Sequence, residues 1–333
     1  MNHRLKFAVR ASTAAVLCLC GTAFSAPAVD ANIELDNTSR DGSAVAAADK
    51  GLAQAGRLEL NIAQKADDDA FVAGRATFLS KKDGTVGTDD MWIQLGNSSV
   101  DVKLGRFEAA DLFPLQGDTL VNHAAATVGS ATGGSVYAAN TLRGRNGDAV
   151  FHGAATFNLG SGLSFEFGLT STTSNSLASA TSSATGGGAR GVRPVLSYAS
   201  GPLTARLGLE QGEYNSGNKV SGVGLTVGYD FGAFKLVGNY AQGKQDAAAN
   251  ESETGLGLSV GIGGLAVGFA RGVNDKAGGN VTVQTGYVSY NMPLFGIKGT
   301  SITPAVSVSR ASDSAAGTNA DETAVRVRLH YDF

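Results

Sequence analysis

The charged side chains with regular spacing fall into two groups. Arg57, Lys103, Arg326 and Arg328 each sit where polar and apolar residues alternate, and each falls on the polar side. Arg75 falls the same way. Glu108, Asp111 and Asp118 lie instead in a long stretch without alternation, with Arg106, Arg143 and Arg145 at its ends. Bases on a wall, with acids on a segment facing them, would make a transverse field. Such a field orients polar solutes and disfavours apolar ones. The arginines also fit a plainer role, paired in water with Glu59, Asp101 or Asp332. The single tryptophan, Trp92, alternates with Met91 and Ile93 and so shares the polar side with Gln94. With Phe107 and Phe113 it would form a short aromatic track of the kind that guides sugars.

Catalytic spacing is missing. Past the leader the chain has His123, His152 and His330 and no cysteine. It contains no H-E-x-x-H, no glycine-rich phosphate loop and no G-x-S-x-G. A lone wall histidine is more often structural than catalytic. Asp67, Asp68 and Asp69 at a turn would bind a divalent ion only weakly. No enzymatic activity, metal or cofactor is expected.

The elements that would position these residues are strands. Residues 1–28 read as a signal peptide: Arg4, Lys6 and Arg10, then an apolar run at 11–21, then small residues offering cleavage between 25 and 28. Both cysteines, Cys18 and Cys20, leave with it, so disulfides cannot hold the exported chain. Its loss leaves 23 basic residues against 29 acidic ones, and no basic tail suggests a nucleic-acid partner. No later apolar run is long enough for a transmembrane helix. Period-two alternation predicts sixteen strands at 29–37, 51–64, 69–79, 87–96, 99–106, 148–158, 161–171, 190–200, 202–212, 220–230, 233–243, 252–260, 264–272, 280–290, 300–310 and 321–333. An extra segment at 135–142 would make seventeen; an even count keeps both chain ends at one rim.

Short links alternate with long polar ones, as in an outer-membrane barrel with tight turns at one rim and long loops at the other. In the last strand Val325, Val327, Leu329, Tyr331 and Phe333 share one face, and Arg326, Arg328 and His330 the other. A soluble sandwich alternates too, but its core needs bulky side chains. Here Gly, Ala, Ser and Thr fill many remaining positions, which suits a wide lumen. A receptor barrel would carry longer, more aromatic outer loops than the low-charge stretch 171–189. The fold expected is an all-β transmembrane antiparallel barrel spanning 29–333, with 107–147 folded inward as a constriction loop.

With its leader, its tail VRVRLHYDF ending in Phe333, LGRFEAAD (104–111) leading into a long third loop, and sixteen segments, the chain resembles a Gram-negative outer-membrane porin of the general diffusion type, with a carbohydrate-uptake branch as an alternative. The resemblance implies a homotrimer in outer-membrane lipid and lipopolysaccharide. It implies one water-filled pore per subunit for small hydrophilic solutes and ions. The residues expected to line the pore are Arg57, Arg75, Trp92, Lys103, Arg106, Glu108, Asp111, Asp118, Arg143, Arg326 and Arg328. A sugar-specific or anion-selective channel remains the other reading.

Overall fold

The computed structural model describes residues 26–66, 69–124, 136–144, 149–172, 189–214, 217–245, 251–276 and 278–333. The leader up to residue 25, Asp67, Asp68, Arg145 and most of 171–189 lie outside them. Sixteen long strands run through the described chain: β1 (Ala28–Asp41), β2 (Gly51–Lys65), β3 (Phe71–Ser80), β4 (Val86–Gly96), β5 (Val100–Arg106), β6 (Ala149–Gly160), β7 (Leu163–Thr172) and β8 (Ala189–Ser200). The second half is β9 (Leu203–Tyr214), β10 (Lys219–Asp230), β11 (Lys235–Gln245), β12 (Glu251–Ile262), β13 (Leu265–Lys276), β14 (Gly279–Tyr290), β15 (Thr300–Asp313) and β16 (Thr318–Asp332). A two-residue bridge, Met292–Pro293, sits in the link before β15. The described part of the extra segment, 136–142, is not a strand; it holds a single 3-10 turn at Ala138–Asn140.

Each strand pairs antiparallel with its sequence neighbours, and β1 pairs with both β2 and β16. The sheet therefore closes into a barrel and leaves no edge whose amides would need water. The seam runs to the last residue, where Phe333 and Ala31 exchange backbone hydrogen bonds of 2.9 Å in both directions. Short turns use residues suited to them. Asn97 Oδ1 accepts from the Ser99 and Val100 amides, and Gly160 and Gly162 take left-handed φ of 80°.

Alternation separates two faces. Ile33, Leu58, Leu60, Ile62, Met91, Ile93 and Leu95 are exposed, whereas Glu34 and Glu59 are buried. An apolar exposed face around a closed sheet is a lipid-facing wall. Rings gather at the short-turn rim: Tyr229, Phe231 and Phe234 lie 4.6 Å apart in succession, and Tyr331 and Phe333 are 5.3 Å apart. The buried core is on the other face. Leu112, Phe113, Ala124, Val136, Ala138 and Ala139, none of them in a strand, pack with Val195, Ala241, Ala270, Val281 and Val283 of the wall.

Candidate functional site

The barrel seam brings one set of charges together. The register sets Glu34 opposite Arg57 on one side and His330 on the other, and Asp36 opposite Arg328. Arg57 reaches Glu34 at 3.3 Å and Glu59 at 3.5 Å. Arg75 reaches Glu59 at 3.2 Å and Asp90 at 3.8 Å. Arg328 holds Asp36 at 2.7 Å and Glu34 at 3.0 Å. The wall arginines of β2, β3 and β16 are thus neighbours, but carboxylates are interleaved among them. They form a mixed network, not a bare basic patch.

Further along the wall, β4 and β5 add Trp92 and Lys103. Lys103 Nζ lies 4.5 Å from the centre of the Trp92 ring and 5.4 Å from that of Phe107. The Arg75 guanidinium lies 5.6 Å from the Trp92 ring on its other flank. Trp92 is therefore a polar-face residue held between two cations. Only part of the expected aromatic track comes together: Trp92 packs against the cluster of Phe107, which is buried and stacked at 4.0 Å on His152, whereas Phe113 is buried in the separate inner core. Both are apolar side chains in a segment with its own core to fill, so burial outweighs exposure.

Segment 107–124 is hydrogen-bonded in turn to β7, β10, β11, β14 and β15. Ala110 donates its amide to Glu166, and Thr226 donates its hydroxyl to the Leu112 carbonyl at 2.9 Å. Asn239 donates to the Pro114 carbonyl at 2.8 Å, and Tyr287 to that of Gln116 at 3.2 Å. The amides of Asn122 and Ala124 donate to Ser307 and Ser309. Glycines in the strands give the segment room. A Cβ on Gly224 would stand 2.7 Å from Leu112 Cβ, and one on Gly257 would stand 2.8 Å from the Phe113 ring.

The acids of this segment are all engaged. Asp118 Oδ1 accepts from Arg326 at 3.1 Å and Arg328 at 3.0 Å. It touches the wall arginines directly, where the sequence suggested charges facing across a gap. Glu108 pairs with Arg143 at 3.1 Å, and Asp111 with the same guanidinium at 3.5 Å. Burial works against the charge of Asp111, but Arg143, the Phe113 amide and the Asn140 side chain together hold its carboxyl below the usual aspartate value. Arg106 is a correction. It stands opposite Met91 in register, on the outward-facing side, and its Nε donates to the Asp89 carbonyl at 2.7 Å. Alternation turns it away from Lys103, and the preceding Gly105, with φ of 121°, marks the strand end.

A buried clamp escaped the sequence reading. Arg193, only 1% exposed, donates to Glu210 at 2.9 Å and to Asn140 Oδ1 at 3.0 Å. Glu210 also accepts the amides of Thr141 and Leu142, each at 3.0 Å. Asn140 accepts the Leu112 amide and donates to Asp111. Arg206 donates to the Asp111 carbonyl at 3.0 Å. The wall thus grips both limbs of the segment at one point. The available signal was charge at polar-face positions of β7, β8 and β9, but nothing in the sequence says what those charges touch.

Residues 24–211 match the model of the porin-like glycoporin RafY family. The chain belongs to that family. It is an outer-membrane porin, a channel of passive diffusion, located in the bacterial outer membrane. Solved outer-membrane proteins share its architecture. An anion-selective porin from Comamonas acidovorans superimposes with a TM-score of 0.60 at 18% identity, over 92% of this chain and 99% of that one. The trimer form of in-vitro folded OmpT from Vibrio cholerae gives 0.65 at 10% identity, over 92% and 100%. A substituted Rh. blastica porin gives 0.54 at 14% identity, over 92% and 100%. At such identities the likeness is one of fold. No curated protein sequence matches the chain.

Proposed function

We propose that segment 107–147 is the constriction of this porin. In this reading the open path runs between the segment and the wall of β2–β5 and β16, where Arg57, Arg75, Trp92, Lys103, Arg143, Arg326 and Arg328 meet Glu108, Asp111 and Asp118. The observation that carries it is the Asp118 contact with Arg326 and Arg328, which ties the segment to the wall far around the barrel from β5. Because the arginines of this set each have a carboxylate within 4 Å, their fields largely cancel beyond a few ångströms. The channel then passes small hydrophilic solutes and ions of both signs, with weak ion preference.

Three subunits per assembly fit the family and the fold. Outer-membrane lipid and lipopolysaccharide would surround them. The test is single-channel recording in planar bilayers across a salt gradient. Three equal conductance steps with a reversal potential near zero are expected; strong selectivity for either sign would overturn the balanced-charge reading. A sugar-guiding channel is the second reading. It is favoured by Trp92 on the polar face and by the glycoporin name of the matched family.

A further inference from the structure

Two arginines lie in one row on the lipid-facing wall, near the rim that carries the long loops. Arg271 of β13 stands opposite Gln284 of β14, and Gln284 stands opposite Arg310 of β15. Alternation turns all three outward, and all three are exposed. Neighbouring strands run about 4.8 Å apart, so the two arginine backbones are separated by about 10 Å, a span that two extended side chains can close. Among the described residues neither guanidinium has a carboxylate within 4 Å or a hydrogen bond. Other outward arginines at this rim are engaged: Arg190 with Glu213 at 3.4 Å, and Arg106 with the Asp89 carbonyl at 2.7 Å. The two carboxylates on this face of β13–β16 have partners of their own. Asp321 of β16, opposite Arg310, accepts the Ser43 hydroxyl at 2.7 Å. Asp275 lies four residues, about 13 Å, further along β13 from Arg271, and accepts the Ser252 hydroxyl at 3.1 Å.

Beside Arg310 a cavity of about 620 Å³ opens on this face, lined by Thr282, Gln284, Ser312, Asn319 and Thr323 as well as Asp321. Hydroxyls and amides therefore surround the guanidinium. Toward the membrane midplane the wall turns apolar, with Phe269 and Val308 exposed. Gly286 lies between these two in register. A Cβ at Gly286 would meet nothing within 4 Å, so the glycine leaves a cleft in the apolar wall directly beneath the cations. Cations above and an apolar cleft below fit an amphiphile with an anionic headgroup. A guanidinium fork matches two phosphate oxygens at once, and the ring of hydroxyls and amides matches a sugar. A free phosphate would leave the cleft unmatched. A phospholipid without a sugar would leave the hydroxyls and amides unmatched.

We infer that this surface binds a phosphorylated, acylated saccharide of the outer leaflet, the lipid A end of lipopolysaccharide, with Arg271 and Arg310 taking a phosphate and the Gly286 cleft an acyl chain. The site lies outside the barrel and does not depend on the path through the lumen. The test is retention of lipid by the folded, detergent-solubilised protein, counted by native mass spectrometry. The probes are bisphosphorylated lipid A, its dephosphorylated form and phosphatidylglycerol, with inorganic phosphate as competitor. Bisphosphorylated lipid A should be retained at concentrations several-fold lower than either of the other lipids. Arg271→Gln combined with Arg310→Gln should remove that advantage, and the corresponding pair of lysine substitutions should keep part of it. Gly286→Leu should weaken retention with both arginines in place, and Arg190→Gln should leave it unchanged. Unchanged retention in the double glutamine variant would overturn the site. Equal retention of dephosphorylated lipid A would overturn the phosphate contact, and equal retention of phosphatidylglycerol would overturn the saccharide assignment. Displacement of lipid A by an equal concentration of inorganic phosphate would reduce the surface to a free-anion site and overturn the lipid. Loss of the oligomer in the double glutamine variant, with lipid retention unchanged, would make this face a subunit contact instead. Specific retention by a protein that never conducts would uphold the site and overturn the channel reading.

Discussion

Two side chains hold the segment against the wall, and they do so in opposite ways. Asp118 neutralises. It sits between Arg326 and Arg328 at 3.1 and 3.0 Å, and removing its charge leaves both guanidinia facing the path with only the carboxylates of β1. Asp118→Asn should therefore move the reversal potential in a salt gradient toward anions, on the order of twofold in permeability ratio. An unchanged potential would place Asp118 outside the path. Arg193 anchors. It is fully buried on Glu210, so Arg193→Leu leaves a carboxylate in the dry interior without its cation. Losing one partner of a buried pair costs about 3–5 kcal/mol. Here much of the cost should appear as release of the segment, because Glu210 also holds the Thr141 and Leu142 amides. The expected readout is noisy, flickering single-channel current with the barrel's β-sheet signal intact.

At the scale of elements, the strands are shaped for the segment they carry. Gly224 lies where Leu112 and Ala139 come closest, and a methyl there would meet Leu112 Cβ at 2.7 Å and Ala139 Cβ at 2.9 Å. Gly224→Ala should push the segment toward the barrel axis and lower the conductance, the contrary of a released segment. Acid should loosen the same element. His123 donates or accepts at Thr285 Oγ1, 2.7 Å away, and faces the Tyr137 hydroxyl at 3.4 Å. Burial lowers its imidazole from 6.5 to about 4. Between those values the undocked ring binds a proton that the docked ring refuses, so docking is favoured above about pH 6.5 and weakens as pH falls toward 4. Current noise should rise over that window, and His123→Gln should flatten the rise. Alternation located all sixteen strands and turned Trp92, Lys103 and Arg326 to the polar face, because period two is a local property. Segment 107–144 has no period. The placement of its described parts, 107–124 and 136–144, depends on contacts with β7 to β16, and so the Arg193–Glu210 grip and the burial of Phe107 and Phe113 were not legible.

For the whole molecule, the critical join is between the first and last strands. Every other strand pair is tied by a chain link, but β1 and β16 are joined only by the ladder and by side chains across it. Their proximity followed from an even strand count, and it correctly made neighbours of Arg57, Arg326 and Arg328. The acids were harder to foresee, since Glu34 and Asp36 look like ordinary surface residues until the register with β16 is known. Glu34 is buried and receives Arg57 at 3.3 Å, Arg328 at 3.0 Å and His330 at 3.4 Å. It links β2, β1 and β16 across the seam. Glu34→Leu would strand these basic groups around an apolar side chain, with a cost of about 3–5 kcal/mol. The outer lipid-facing contacts of Ile33 and Leu35 would be untouched, so insertion should proceed while closure weakens. Folded barrels that resist detergent at room temperature should then open at a lower temperature in the variant than in the parent, measured as the shift in gel mobility on heating. Glu34→Asp, which keeps the charge on a shorter arm, should recover part of the loss. Equal heat resistance in all three proteins would mean that the backbone ladder alone holds the barrel shut.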